Sequence, residues 1–219
     1  MEPANVGEAK GRGRPRAFDR TVALRRAMDL FWEKGFDMCS MSDLVDAMGV
    51  NSPSIYAAFG NKESLYREAI ELYLRAEGGA ALRMFDSSPT LRESLETMFE
   101  TSIDLFTSGQ RSRGCMIFLG GAGIGTEHVE LRDFLQALRL KVARTIEKRL
   151  KKAIEQGELV HDANTGALAT LCMSVFCGLS VQAADGASKR KLHAGVTQLL
   201  SMIPFRSSSD RAGTLRRNL

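Results

Sequence analysis

Residues 40–62, SMSDLVDAMGVNSPSIYAAFGNK, restrict the fold of this chain more than any other stretch. Leu44, Val45 and Met48 make one apolar face of a short helix. Gly49 can take the positive φ that a sharp turn requires. Asn51 or Ser52 can cap a second helix, and Pro53 suits its first turn. Ile55 and Phe59, four apart, bury that helix against the first. Ser52, Ser54, Tyr56, Ala57 and Ala58 then fall on other faces. Two packed helices with the second left partly bare is the helix-turn-helix plan, which lays one helix in a DNA major groove.

The helical pattern extends in both directions. Asp19 is placed to cap a first helix carrying Leu24, Ala27, Met28, Phe31 and Trp32, ended by Gly35. A fourth helix runs from Lys62 to Arg75 or beyond, until Gly78 and Gly79 weaken it. Thr90-Leu91-Arg92-Glu93 is a capping box opening an amphipathic helix that stops at Gly109. A long helix spans Glu127 to Gln156. Asp162 or Asn164 caps an apolar one through Ala184, and Ser188 caps a last one ended by Pro204. The expected fold is all-α, about nine helices, with no convincing strands. A three-helix, helix-turn-helix domain precedes a larger helical domain for ligand binding and dimerisation.

The expected organisation is a basic arm (1–17), a DNA-binding domain (18–75), an effector and dimerisation domain (85–205) and a flexible tail (206–219). Net charge is +4, which alone decides little. Between Lys10 and Arg26, however, stand Lys10, Arg12, Arg14, Arg16, Arg20, Arg25 and Arg26 against Asp19 alone. Such an excess beside a helix-turn-helix suits phosphate attraction with counterion release. Arg12-Gly13-Arg14-Pro15, followed by Arg16, reads as a minor-groove hook: an extended backbone flanked by arginines fits a narrow groove.

Residues Gly49-Val50, Pro53-Ser54-Ile55-Tyr56, Phe59 and Asn61-Lys62-Glu63-Ser64-Leu65 together resemble the recognition unit of the TetR family of bacterial repressors. The resemblance runs from about Phe18 to Tyr73. The chain departs from it at Ala57 and Ala58, where many members carry large polar or aromatic residues. The resemblance implies base and phosphate contacts from the second and third helices, and a phosphate contact from Lys62. The DNA-facing set is therefore Ser40, Ser42, Ser52, Pro53, Ser54, Tyr56, Ala57 and Lys62, joined by Arg12, Arg14 and Arg16 of the arm. The hydroxyls suit phosphate or mixed contacts, and Ala57 can touch a thymine methyl.

Farther along, Met98, Phe99, Phe106, Cys115, Met116, Phe118, Phe134 and Phe176 are candidates to line an effector pocket, which is mostly apolar with a few polar groups. All of them also read as ordinary core. Cys115 near Arg111 and Arg113 would have a lowered pKa and could sense oxidants or electrophiles, although a small buried hydrophobe fits it better. Cys115-Met116-Ile117-Phe118-Leu119 before Gly120-Gly125 mimics a strand and a phosphate-binding glycine loop. The third glycine of that pattern should fall at Thr126 or His128, so a nucleotide-binding enzyme is disfavoured. The better reading is a short buried helix with a loose glycine-rich end. His128, His161 and His193 are scattered, giving no metal site and no cofactor.

Leu168, Leu171, Cys172, Val175, Phe176, Leu179 and Val181 leave the helix before Ala184 little polar face, and Val196, Leu199, Leu200 and Ile203 stripe the last one. Pairing of these helices with a second copy would give a two-fold dimer matching a palindromic operator. The chain shows no secretion signal and no apolar run near the ~18–20 residues of a membrane helix. The expectation is a cytoplasmic, homodimeric, DNA-binding regulator relieved by an unidentified small-molecule effector. It has two DNA-binding alternatives: a Cys115 redox sensor and a nucleoid-type binder without an effector.

Overall fold

The computed structural model describes residues 19–108, 112–121 and 123–206. Ten α-helices form among them: α1 (Arg20–Lys34), α2 (Met41–Met48), α3 (Ser52–Phe59), α4 (Lys62–Tyr73), α5 (Ala80–Ser87), α6 (Leu91–Phe106), α7 (Met116–Gly120), α8 (Val129–Glu155), α9 (Thr165–Ala184) and α10 (Lys189–Met202). No strand forms among the described residues; one isolated antiparallel bridge joins Leu159 and Phe205. The basic arm, with Arg12, Arg14 and Arg16, lies outside the described residues, as do Phe18, Gly109, Arg111, Ala122 and residues 207–219.

The expected helix count falls short by α5. Gly78 and Gly79 do not end the fourth helix in a loop. They close a π-helical turn (Leu74–Gly78), after which α5 begins. A side chain at Gly78 would collide with the Tyr73 ring, so only glycine lets the chain widen over that buried tyrosine.

Local chemistry sets most helix starts. Asp19 accepts from Thr21 and Val22 N–H and caps α1. Asn51 rather than Ser52 caps α3, and Asn61 caps α4, each accepting from the backbone N–H three residues on. Thr90 and Glu93 form the expected reciprocal box on α6. Asn164 rather than Asp162 caps α9.

Helices α1 to α4 form the N-terminal head. Phe31, Phe36 and Tyr66 meet with ring centroids 5.0–6.2 Å apart, which locks α4 onto α1. Helix α4 is also where the head joins the remaining helices. Tyr66 and Tyr73 are fully buried, and the Gly120 backbone of α7 lies so close to the Tyr66 hydroxyl that a side chain there would strike it. Trp32 donates to the Gly114 carbonyl at 3.1 Å, and Arg113 pairs with Asp29 at 2.8 Å across the same joint.

Helix α9 corrects the expectation that no apolar run reaches membrane-spanning length. Its 20 residues contain an 18-residue window with a mean hydropathy of 1.7 and carry no charge. Interleaved serines, threonines and glycines hide the run when the sequence is read residue by residue. The helix packs on α6, α8 and α10, which bury Ala169, Cys172, Phe176, Leu179 and Ala183. The apolar stripe of α10 (Leu192, Val196, Leu199, Leu200) is likewise consumed inside the chain. What α9 leaves outside is Val181, 47% exposed, with Leu168 and Leu171 half-buried.

At the far end, Glu158 accepts the Leu91 N–H and pairs with Arg149 at 3.0 Å, their side chains only 11% and 7% exposed. Removing one partner of a buried pair strands the other charge. Glu158→Leu is therefore expected to cost about 3–5 kcal/mol in denaturant unfolding. Gly120→Ala, which pushes a methyl onto Tyr66, is expected to cost about 1–3 kcal/mol by overpacking, read from the same curves.

Candidate DNA-binding surface and the cleft behind it

The turn between α2 and α3 is built as the residue types require. Gly49 has φ +71°, its N–H bonds the Val45 carbonyl, and α2 ends there. Leu44 and Met48 on α2 and Ile55 and Phe59 on α3 are buried. With Ile55 and Phe59 turned inward, Tyr56 is 48% exposed, and Pro53 and Ala57 are exposed beside it. Ser52 and Ser54 are half-buried on the first turn of α3.

Ser40 and Ser42 are exposed at the start of α2. The Ser40 hydroxyl is already engaged: it accepts from Asp43 N–H at 3.1 Å and donates to Asp43 Oδ2 at 2.7 Å. Asp43 also takes Lys34 Nζ at 2.7 Å. Hydrogen bonds from Lys34 and from the Ser40 side chain and backbone hold its carboxyl well below the usual carboxylate range. Asp43 is the residue the sequence reading missed here. Its signal was present, since Ser40 and Asp43 have the spacing of a capping box. Lys62 is half-buried, with Nζ 4.4 Å above the Phe36 ring.

The cationic excess ahead of the head is partly spent inside the protein. Arg20 pairs with Glu68 at 2.7 Å, bonds the Ala58 carbonyl and lies 4.3 Å over Phe59. Arg25 pairs with Glu77, and Arg26 reaches the Met48 carbonyl at the end of α2. Arg20 and Arg26 brace the last turns of α3 and α2, where helix carbonyls attract cations, and Arg25 is held by Glu77 and Asp29. They are not three free phosphate ligands.

Behind the head, a cleft of about 1010 Å³ lies between α1, the α1–α2 loop and α7. Trp32, Phe36, Met116 and Leu119 give it apolar walls, and Asp29 and Arg113 a charged edge. Of the eight residues expected to line a pocket, Met116 alone borders this cleft. Phe99, Phe106 and Phe118 instead gather round Phe176, with centroids 5.0–6.4 Å apart, and Met98 is buried in the same core. Phe134 stands apart on α8, under the Arg67 guanidinium.

Cys115 is buried ahead of α7 and takes a hydrogen bond from Tyr73 Oη at 3.5 Å. Its backbone N–H donates to Ser180 Oγ at 2.7 Å. Contrary to the expected lowering, burial pushes the Cys115 thiol up and outweighs Tyr73, the α7 backbone N–H groups and Arg139. That favours the thiol over the reactive thiolate. Cys39 and Cys172 are also raised by burial, to about 11 and about 12. Residues 116–120 are helical rather than a strand, which removes the start of a dinucleotide-binding unit.

Comparison with known proteins agrees with this geometry. Residues 23–69 match the family model for bacterial regulatory proteins of the tetR family, and residues 92–198 match that for the tetracyclin repressor-like C-terminal domain. The HTH-type transcriptional repressor ComR of Escherichia coli K12 is 31% identical over 184 residues, 84% of this chain and 88% of ComR. The repressor BdcR of the same strain is 27% identical, covering 83% and 87%. A solved cysteine mutant of the TetR-family regulator CifR, complexed with 26-bp double-strand operator DNA, superposes with a TM-score of 0.82 at 39% identity, covering 88% of this chain and all of that one. With the helix-turn-helix, the all-helical second half and these relatives in agreement, the chain belongs to the TetR family of bacterial regulatory proteins.

Proposed function

We propose that this protein is a cytoplasmic transcriptional repressor that binds a palindromic operator as a homodimer, releases it when a small molecule binds, and has no catalytic activity. The observation that carries this reading is the bare face of α3. Ile55 and Phe59 hold the helix down while Tyr56, Pro53 and Ala57 face outward. The likeness to a regulator solved on its operator supports it. In this reading residues 18–75 bind DNA and residues 85–205 bind the effector and dimerise.

Ser42, Ser54, Tyr56 and Lys62 meet phosphates and base edges, and Ala57 meets a thymine methyl. Ser40 contributes through its cap, by aiming the α2 N-terminus, since its hydroxyl already serves Asp43. Dimerisation uses the outer face of α9 around Val181, continuing over the small outward residues of α10.

The effector enters the cleft between α1 and α7. A ligand in it lies against the Asp29–Arg113 pair and Trp32, whose bond to Gly114 also ties the head to the body. A two-fold dimer reads both half-sites only at one head separation, so loosening either tie weakens binding.

Selection of bound duplexes from a random pool is expected to enrich a palindrome with half-sites about one helical turn, or a multiple, apart. Enrichment of nothing, despite salt-sensitive binding, would leave a non-specific binder. Lys62→Ala is expected to weaken all sequences alike and to lower the salt dependence of log K by about one ion. Val181→Glu is expected to shift the chain toward monomer in light scattering and to weaken operator binding with it.

A further inference from the structure

Three carboxylates surround one imidazole at the joint between head and body. His128 immediately precedes α8, and its side chain is 28% exposed. Its Nδ1 lies 2.6 Å from Glu63 Oε1, on the first turn of α4. Its Nε2 lies 3.9 Å from Asp37 Oδ1, in the α1–α2 loop, and 3.9 Å from Glu127 Oε1 on its own loop. The other Asp37 oxygen accepts the Gly125 N–H at 2.6 Å, so this carboxylate is held in place. The imidazole packs edge-on against Phe36, with centroids 4.9 Å apart. Lys62 Nζ lies above that same ring. Of the remaining charges nearby, Glu130 on α8 faces Arg67 on α4 at 3.8 Å.

A neutral imidazole can donate from one nitrogen only. If that proton serves Glu63, Nε2 turns a lone pair toward Asp37 and Glu127, and the contact repels. A protonated ring donates toward Glu63 and attracts the other two carboxylates as well. The charge on one side chain thus strengthens or weakens the hold between the body and the elements that carry Asp37 and Glu63. Lys62 is next to Glu63 and rests on Phe36, so it sits on the same elements.

We propose that His128 is a positioning residue for DNA binding. Its protonated form clips the head to the body with Lys62 in place, so operator affinity rises as pH falls through the imidazole range. The proposal rests on the operator-binding reading above. The sign follows from linkage: the clipped state holds the extra proton, so proton uptake favours it, and it is lost as pH rises. Histidine is the side chain whose ordinary titration spans about pH 5–8.

The chain supplies its own reporter, because Trp32 is its single tryptophan and bonds Gly114 across the same joint. The DNA-free protein, titrated from about pH 5 to about pH 8, is expected to show one transition in Trp32 fluorescence that is absent in His128→Gln. Glutamine keeps a donor but cannot gain the charge. Operator affinity at constant ionic strength is expected to fall about fivefold or more across that range in the natural chain and to stay flat in the variant.

Glu127→Gln provides a second variant, on a side chain that is 70% exposed. It removes one of the three carboxylates facing the ring and is expected to shrink the Trp32 change and the affinity change without abolishing either. A flat Trp32 signal in the natural chain, or a transition or affinity profile unchanged in His128→Gln, would overturn the proposal. A Trp32 transition that needs His128, in a protein that selects no operator at any pH, would uphold the clip and instead defeat the operator-binding reading.

Discussion

Burial of α4 on both sides is the constraint on which the rest of the structure depends. Tyr66, Ala69, Ile70 and Tyr73 are at most 1% exposed, yet no single neighbour covers them. On one side Phe31 and Phe36 close over Tyr66, and Trp32 stands edge-on to Tyr73 at 4.9 Å. On the other side α7 approaches through Gly120, and Cys115 meets the Tyr73 hydroxyl. Close-packed groups of this kind have few intermediate arrangements. Bulk added at Gly120 of α7 therefore presses directly on Tyr66 of α4, the helix that begins at Lys62.

At the rim of the joint the ties are polar and exposed, while its centre, where Tyr66 and Tyr73 meet α7, is closely packed. Asp29–Arg113 is 42% and 37% exposed, and exposed pairs of this kind contribute up to about 1 kcal/mol each. Losses of that size leave the head folded, because its own core (Leu44, Ile55, Phe59, Leu65) is untouched by them. They are nonetheless comparable to the coupling energies of about 1–3 kcal/mol that separate tight from weak binding. Rim ties of this kind can be lost while both cores and the packed centre of the joint persist.

Features with a local signature were legible in the sequence. Gly49 for the turn, the Thr90–Glu93 box and the i, i+4 burial of Ile55 and Phe59 each follow from residues within a few positions of one another. What escaped depends on distant partners. Arg20 counted in full toward the cationic excess because Glu68 is 48 residues away. His128 looked solitary because Glu63 and Asp37 come from other elements. The phenylalanines read equally as pocket lining and as core because composition cannot distinguish rings that pack on each other from rings that line a space. Helix α5 was missed because two glycines ordinarily end a helix, whereas here they make room for Tyr73.

The same long-range pairing changes what the basic N-terminal region can contribute. Phosphate attraction acts through net local charge, and each arginine spent on a carboxylate adds little to it. With Arg20 on Glu68 and Arg25 on Glu77, the head presents fewer free cations than its sequence counts. The surface proposed to face DNA carries serine hydroxyls, a tyrosine and helix N-termini, together with Lys62. Such groups position a protein on the phosphates but rank base pairs weakly one at a time. Selectivity then has to come from requiring both half-sites at a fixed spacing, which is a property of the joint and of the α9 face more than of any single contact. A substitution at Asp29, Gly120 or Val181, none of which lies on the α2–α3 reading face, should thus alter sequence preference as much as one at Tyr56.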